Sequence, residues 1–383
     1  MLFFAVGLAF GFRSLRATKL ETPSVHPSPE CSPSLSGNGE VLAFEVARPD
    51  SGIQDLYVWN TQEGQGKLWD RGPRGNVLDD SSLQPRLDAS GRWLVFSSFA
   101  SNWVQDDSNG LSDVFCLDLQ QGKVERLVPP QPTAGISSSY SPTISSDGQR
   151  IAYLSYGVPD ADTVRGRNLC LYDRESGKVS TFPGLPRRGR GPLLGAPSFS
   201  PGGRHIAFSA FVCDLLPALR PPHYQIYLTR LDLNAPWPPP IPYMKDDHPL
   251  QPLWRVALLT HRADGGGSNG NSYQPILLED ECVFSSLASN LVPPDSNHCH
   301  DIFVRSLTGT GAIERLSLSQ DGQQGNDSSF EPCVSQDGRW LAFTSYASNL
   351  MPGDTNQSSD VFLLDRRSGK LECLSGFAPG PSH

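Results

Sequence analysis

Pro332-Cys333-Val334-Ser335-Gln336-Asp337-Gly338-Arg339-Trp340-Leu341-Ala342-Phe343 is the stretch on which the architecture of this chain turns. Its Asp-Gly pair supplies the positive backbone φ that a tight hairpin requires. On either side lie runs of strand character, Pro332 to Ser335 and Trp340 to Ser345. Asp360 to Asp365 reads as a third strand, Arg366 to Gly369 as a turn whose glycine suits it, and Lys370 to Leu374 as a fourth strand. Four strands joined by three connections make one antiparallel unit.

The unit recurs. Pro33, Pro85, Pro142, Pro197 and Pro332 are each followed eleven residues on by an aromatic, Phe44, Phe96, Tyr153, Phe208 and Phe343; Pro275 precedes Phe284 by nine. Glu279-Asp280 replaces the Asp-Gly turn there, which accounts for the two missing residues. A period of 52 to 78 residues, mostly 55 to 57, marks an array of supersecondary units. The second and third strands are almost wholly apolar, as expected of sheets packed on both faces. The expected fold is all-β, a six-bladed β-propeller of four-stranded antiparallel blades starting near residues 32, 84, 141, 196, 274 and 331.

Ser335 to Phe343, Ser145-Ser-Asp-Gly-Gln-Arg-Ile-Ala-Tyr153 and Ser200-Pro-Gly-Gly-Arg-His-Ile-Ala-Phe208 resemble the S-P-D-G-x-x-I-A-F core of the WD40-like (PD40) repeats of TolB-like propellers. The resemblance runs over about residues 30 to 375 and is specific for the fold rather than for an activity. It implies export to the periplasm and protein partners in the envelope. TolB proteins also carry an α/β domain ahead of the propeller, and the short stretch before the first blade here argues against a full TolB role.

Glycine and proline, 36 and 34 of 383 residues, exceed average usage yet stay below the roughly 25–30% of disordered chains. A net charge of −9 disfavours nucleic acid, whose binders carry a basic stripe. The one basic cluster, Arg187, Arg188 and Arg190, reads as a solvated loop. Residues 1–20 read as a hydrophobic leader, signal or anchor, and 21–383 as the propeller; the apolar run 2–12 falls short of the ~20 residues that span a bilayer. Its charges, Arg13, Arg16 and Lys19, follow the apolar run where a signal peptide carries them in front. The expected location is periplasmic or membrane-anchored, with a cytoplasmic alternative. Eight cysteines include no C-x-x-C, so zinc spacing is absent; they read as small buried hydrophobes, with disulfides unassigned.

Three second-to-third strand loops share nearly one sequence, each opening on Ala-Ser-Asn and closing on D-x-N-x-x-x-D: Asp107, Asn109 and Asp113; Asp295, Asn297 and Asp301; Asp354, Asn356 and Asp360. Antiparallel order sends these loops and the blade-to-blade linkers to one rim. Oxygens at relative positions 1, 3 and 7 fit a hard cation such as Ca²⁺ in type, although the remaining features of an EF-hand are missing. The competing reading is structural: Asx-turns on the loop's own backbone, with the Asn-Leu-Val segment as a hydrophobic plug beneath. His298 and His300, flanking Cys299 near Asp295, would share a face and meet one transition-metal ion if their segment were extended; a solvent-exposed loop pair is the plainer alternative.

Blade 4 carries the one long surplus, Asn234 to Gln251, whose triple proline favours an extended arm displaying Trp237 and Tyr243. Nucleophile-elbow, H-E-x-x-H and phosphate-loop motifs are absent, and His205, His223, His248 and His261 read as exposed or structural. The expectation is a monomeric, non-enzymatic binding or scaffold propeller, without a cofactor other than a possible Ca²⁺, that engages a protein or peptide partner. The alternative is a propeller enzyme, a hydrolase or lyase acting on carbohydrate or peptide, with its site on one rim.

Overall fold

A computed structural model of the chain describes residues 33–127, 137–157, 167–181, 193–211, 223–231, 256–262, 265–309 and 311–375. The leader, Cys31, Cys213, His248, the arginine cluster at 187–190 and the proline-rich arm at 234–251 lie outside them. Six antiparallel sheets follow one another, at 34–69, 82–127, 137–181, 193–258, 272–315 and 329–373, and no helix occurs among the described residues. The fold is a six-bladed β-propeller. Each sheet runs first strand to fourth in chain order; in blade 4 the first strand is broken into Leu193–Leu194 and Ser198–Phe199, both paired to His205–Phe211. Blades 1 to 3 form one compact unit and blades 4 to 6 another.

The S-x-D-G signature is a hairpin machine. In blade 6 the Gly338 amide donates to Ser335 O at 2.8 Å, and Ser335 Oγ accepts the Trp340 amide at 2.9 Å while donating to Asp337. Ser36, Ser145 and Ser200 accept the corresponding amides of Val41, Arg150 and His205. Gly338 has φ +70°, a value that costs a side-chain-bearing residue energy and glycine almost nothing. Blade 5 closes instead through Leu278 and Glu281, with Glu279 and Asp280 as a two-residue turn.

The recurring aromatics pair across strands two and three. Phe44 faces Tyr57, Phe96 faces Phe115, Phe208 faces Tyr227, Phe284 faces Phe303 and Phe343 faces Phe362, with ring centroids 5.3 to 6.0 Å apart. In blade 3 Tyr153 meets Cys170 instead. Nearly all are fully buried, each contributing roughly 1.5–3 kcal/mol by leaving water. Apolar clusters fill the gaps between blades 1 and 2 and between 2 and 3, and likewise between 4 and 5 and between 5 and 6. That two-sided packing explains strands without polar alternation.

The strand expected to open at Pro332 starts earlier. The first strand of blade 6 begins at Ser329, three residues before Pro332. Proline lacks the N–H that a ladder needs and is confined to edges and bulges. Here it sits in a β-bulge: the residue before it takes a left-handed conformation, with φ between 52° and 56° at Gln84, Ser141, Gln274 and Glu331, and the register slips at the same place in each of those four blades. The proline that reveals the repeat therefore marks a kink in the strand and not its start.

Candidate functional site

The rim carrying the D-x-N loops is built from a clasp repeated in blades 2, 5 and 6. Each linker folds into a small hairpin, bridged at Arg71 and Val77, at His261 and Gly267, and at Leu318 and Gln324. The Ala-Ser-Asn motif then grips it. Asn102, Asn290 and Asn349 each accept a linker amide, from Asp79, Asn269 and Asn326, and donate to a linker carbonyl, of Val77, Gly267 and Gln324. The serines complete the clasp on the side chains of Asp79, Asn269 and Asn326. Ala100, Ala288 and Ala347 are buried, and Trp103, Leu291 and Leu350 plug the space below. The near-identity of these loops thus has a packing cause.

Local turns account for part of the D-x-N pattern. Asn109, Asn297 and Asn356 each accept an amide two residues on, from Leu111, Cys299 and Ser358. The residue after each asparagine is left-handed: Gly110, His298 and Gln357, with φ of 65°, 54° and 55°. His298 consequently stands in a turn and not in an extended segment, so alternation does not place it on the face of His300. Among the described residues no three His, Cys, Asp or Glu side chains gather as a metal would require.

The rest of the pattern is decided from elsewhere in the blade. In blade 2 the fourth-strand Arg126 sets Nη2 2.7 Å from Asp113 Oδ2 and 3.5 Å from Asp107. In blade 5 Arg315 reaches Asp301 Oδ2 at 3.1 Å, and Gln324 Nε2 donates to Asp295, Asn297 and Asp301 at 3.0, 2.9 and 2.7 Å. Protein donors thus sit on the loop carboxylates of blade 5, whereas in blade 2 Arg126 pairs with Asp113 and both oxygens of Asp107 are buried without a hydrogen-bond partner. In blade 6 the position of the arginine is Cys373, and Asp360 accepts from Asn356 and Ser375, the latter matching the Ser317 bond to Asp301 in blade 5. Burial raises the Asp107, Asp113 and Asp301 carboxyls, the arginines offsetting it only in part. Burial and neighbouring Asp360 raise Asp354. Burial acts the same way on Asp295 but is outweighed by the Gln324 and His298 hydrogen bonds, leaving that carboxyl below its usual range.

A cavity of about 490 Å³ opens within blades 1 to 3, lined among others by Glu45, Leu83, Gln84, Phe99 and Tyr140. Its floor is a run of hydrogen bonds from blade to blade. The bulge amide of Gln84 donates to Glu45 Oε1 at 2.7 Å, and the bulge amide of Ser141 donates to Gln84 Oε1 at 2.9 Å. Blades 5 and 6 repeat the link, Glu331 N to Gln274 Oε1 at 3.2 Å. The cavity's Ser97 and Ser112 hydroxyls bond backbone carbonyls of Leu83 and Ser139, an environment that gives a serine no base. Above stands Phe99, 45% exposed, at a position that also holds Leu287, 38% exposed, and Tyr346, 51% exposed.

These residues escaped the sequence reading. The apolar position three residues after the closing aromatic, 96 to 99, 284 to 287 and 343 to 346, was open to a repeat comparison, which also sets Tyr156 and Phe211 there. Gln84, Gln274, Arg126, Arg315 and Gln324 carried no such signal, because each acts on another strand or blade.

Fold and rim together define a six-bladed β-propeller, part of which is similar in sequence to TolB. No family model matches the chain. Over 69 residues it is 39% identical to the Tol-Pal system protein TolB of Alcanivorax borkumensis, a match taking in 18% of this chain and 14% of that protein. The tricorn protease structure superposes with a TM-score of 0.55 at 12% identity, over 89% of this chain and 30% of that one. Oligogalacturonate lyase in complex with manganese gives 0.51 at 13% identity, over 88% and 74%. At such identities the likeness to the two structures concerns the fold alone. The chain spans under a third of the tricorn protease.

Proposed function

We propose that this protein is a non-enzymatic binding propeller that takes a peptide or protein segment on the D-x-N loops of blades 5 and 6. One observation carries the reading. Among the described residues five large hydrophobics are exposed, Leu68, Val77, Phe99, Leu287 and Tyr346. Leu287 and Tyr346 occupy one repeat position beside the D-x-N loops of blades 5 and 6, and Phe99 holds the same position in blade 2. Scattered exposed apolar residues are ordinary, whereas recurrence at one structural position marks a contact surface. Below them the strand bulges are tied from blade to blade by hydrogen bonds. The TolB resemblance supports an envelope setting, with residues 1–20 as signal or anchor.

The test replaces Phe99, Leu287 and Tyr346 together by serine and compares capture of partners from the native extract. Wild type and a Leu68→Ser control should retain the same partner, and the triple variant should lose it with melting unchanged. Equal capture by all three overturns the reading. Fractionation of the tagged full chain tests the envelope setting; recovery in cytosol alone overturns it.

A second reading, an enzyme cutting a glycan or peptide, draws on His300. Its Nδ1 is buried without a hydrogen-bond partner, its ring lies 6.2 Å from that of Tyr273, and burial lowers its pKa and keeps it neutral. Turnover of oligosaccharide or peptide that His300→Gln abolishes would favour it over simple binding.

A further inference from the structure

Aromatic rings follow one another on the D-x-N rim of blades 4 to 6. Tyr224 and Tyr273 lie 5.1 Å apart, Tyr273 and His300 6.2 Å, and Phe330 and Tyr346 5.7 Å between centroids. His300 O accepts the amide of Ser329, the neighbour of Phe330, at 2.7 Å, which joins the two groups into one strip. Tyr346 is its most exposed member; the Tyr346 amide donates to Ser328 O, next to Asp327.

The charge along the part of the strip in blades 5 and 6 has one sign. The rim segments 265–275, 287–300, 316–333 and 346–359 contain Asp295, Asp321, Asp327, Glu331 and Asp354 and neither lysine nor arginine. Asp321, Asp327 and Glu331 are exposed. Arg315, the cation beneath, is engaged by Asp301 and by the Val292 and Pro294 carbonyls, and Arg262, just outside these segments, is partly buried. The blade 6 turns at the other ends of the strands carry Arg339, Arg366, Arg367 and Lys370. Ring faces attract cations through their quadrupole, and carboxylates at the ring edges attract the same charge. Aromatics bordered only by acids therefore select a cation carried on an apolar body.

We infer that the rim of blades 5 and 6 docks a partner segment in which a lysine or arginine lies beside an apolar side chain. The cation sits over Tyr346 and Phe330 with Glu331 and Asp327 as counter-charges, and the apolar neighbour covers Tyr273 and Leu287. This rests on the binding reading above and names the chemistry of the ligand.

The probe is a labelled, end-blocked pentapeptide of alternating lysine and phenylalanine, titrated into the full chain by fluorescence anisotropy. Binding should weaken about tenfold in Tyr346→Ala and in Glu331→Gln, fall as salt rises, stay unchanged in Phe99→Ser, and be absent for the glutamate-phenylalanine peptide. Unchanged circular dichroism and melting guard against misfolding. Equal affinity for wild type, Tyr346→Ala and Glu331→Gln overturns the inference, as does binding of chitohexaose on the same strip without the cationic peptide. If a native partner is lost in Phe99→Ser yet kept in Tyr346→Ala and Glu331→Gln, the binding reading survives and this inference does not; if no rim variant loses it, both fail.

Discussion

Blades 5 and 6 carry the same loop in two electrostatic settings. A serine hydroxyl donates to the last aspartate in both, but Asp295, Asn297 and Asp301 also close around an arginine and a glutamine, whereas Asp360 has Cys373 at the arginine's place and accepts from Asn356. Blade 5 also buries Arg305 where blade 6 has Leu364, and Arg305 donates to Leu259 O and His261 O, both at 2.9 Å. The difference teaches that D-x-N-x-x-x-D is a scaffold of oxygens whose counter-charge is chosen by the fourth strand and the next linker.

The severest way to break the comparison is Arg315→Ala. Asp301 and Arg315 side chains are 1% and 7% exposed, and stripping a buried carboxylate of its partner costs about 3–5 kcal/mol; chemical denaturation should show that loss, and a wild-type midpoint would mean that the arginine is no counter-charge. Gln324→Ala removes one donor shared by three oxygens and should cost about 1–3 kcal/mol, with the Asp295 carboxyl rising toward its usual range in NMR titration. A Gln324→Ala protein that keeps Asp295 low would shift the credit to Arg315.

Acid sharpens the contrast at Arg305. Burial first, and then the Arg305 charge, lower the His261 pKa, so the folded state binds fewer protons there than the unfolded chain. The stability tied to a neutral His261 is complete above about pH 6.5, the unfolded value, and falls below it by up to about 1.4 kcal/mol per pH unit. Melting of wild type against His261→Gln between pH 7 and 5 reads the effect, and parallel curves would dismiss it. The smallest expected change is a gain: Cys373→Arg gives blade 6 the guanidinium of blade 5 and should add about 1 kcal/mol. A drop in melting temperature would show that the surroundings of Cys373 do not accommodate a guanidinium.

Much of the architecture was legible in residues that act on their near neighbours. Ser335, Asp337 and Gly338 close a turn within four positions, and the pairing of Phe343 with Phe362 follows from strand alternation. Pro332 was legible as a repeat marker and misleading as a boundary, because the left-handed Glu331 beside it appears only once the strand pairs. The rim was half legible: the Ala-Ser-Asn and D-x-N runs stood out, while the linker carbonyls and amides that Asn290 grips were invisible, lying some twenty residues away.

The amino-acid sequence by itself determined the number of blades, the strand order within each and the turns that close them, since these depend on periodicity and on backbone preferences over a few residues. Which oxygens meet an arginine, where Gln84 bridges to Ser141, and which rings reach solvent together were decided only when blades packed side by side. Side-chain partners of that kind are fixed by distance in space, and a polar or aromatic residue reads the same in the chain whether its partner stands across a sheet or nowhere at all.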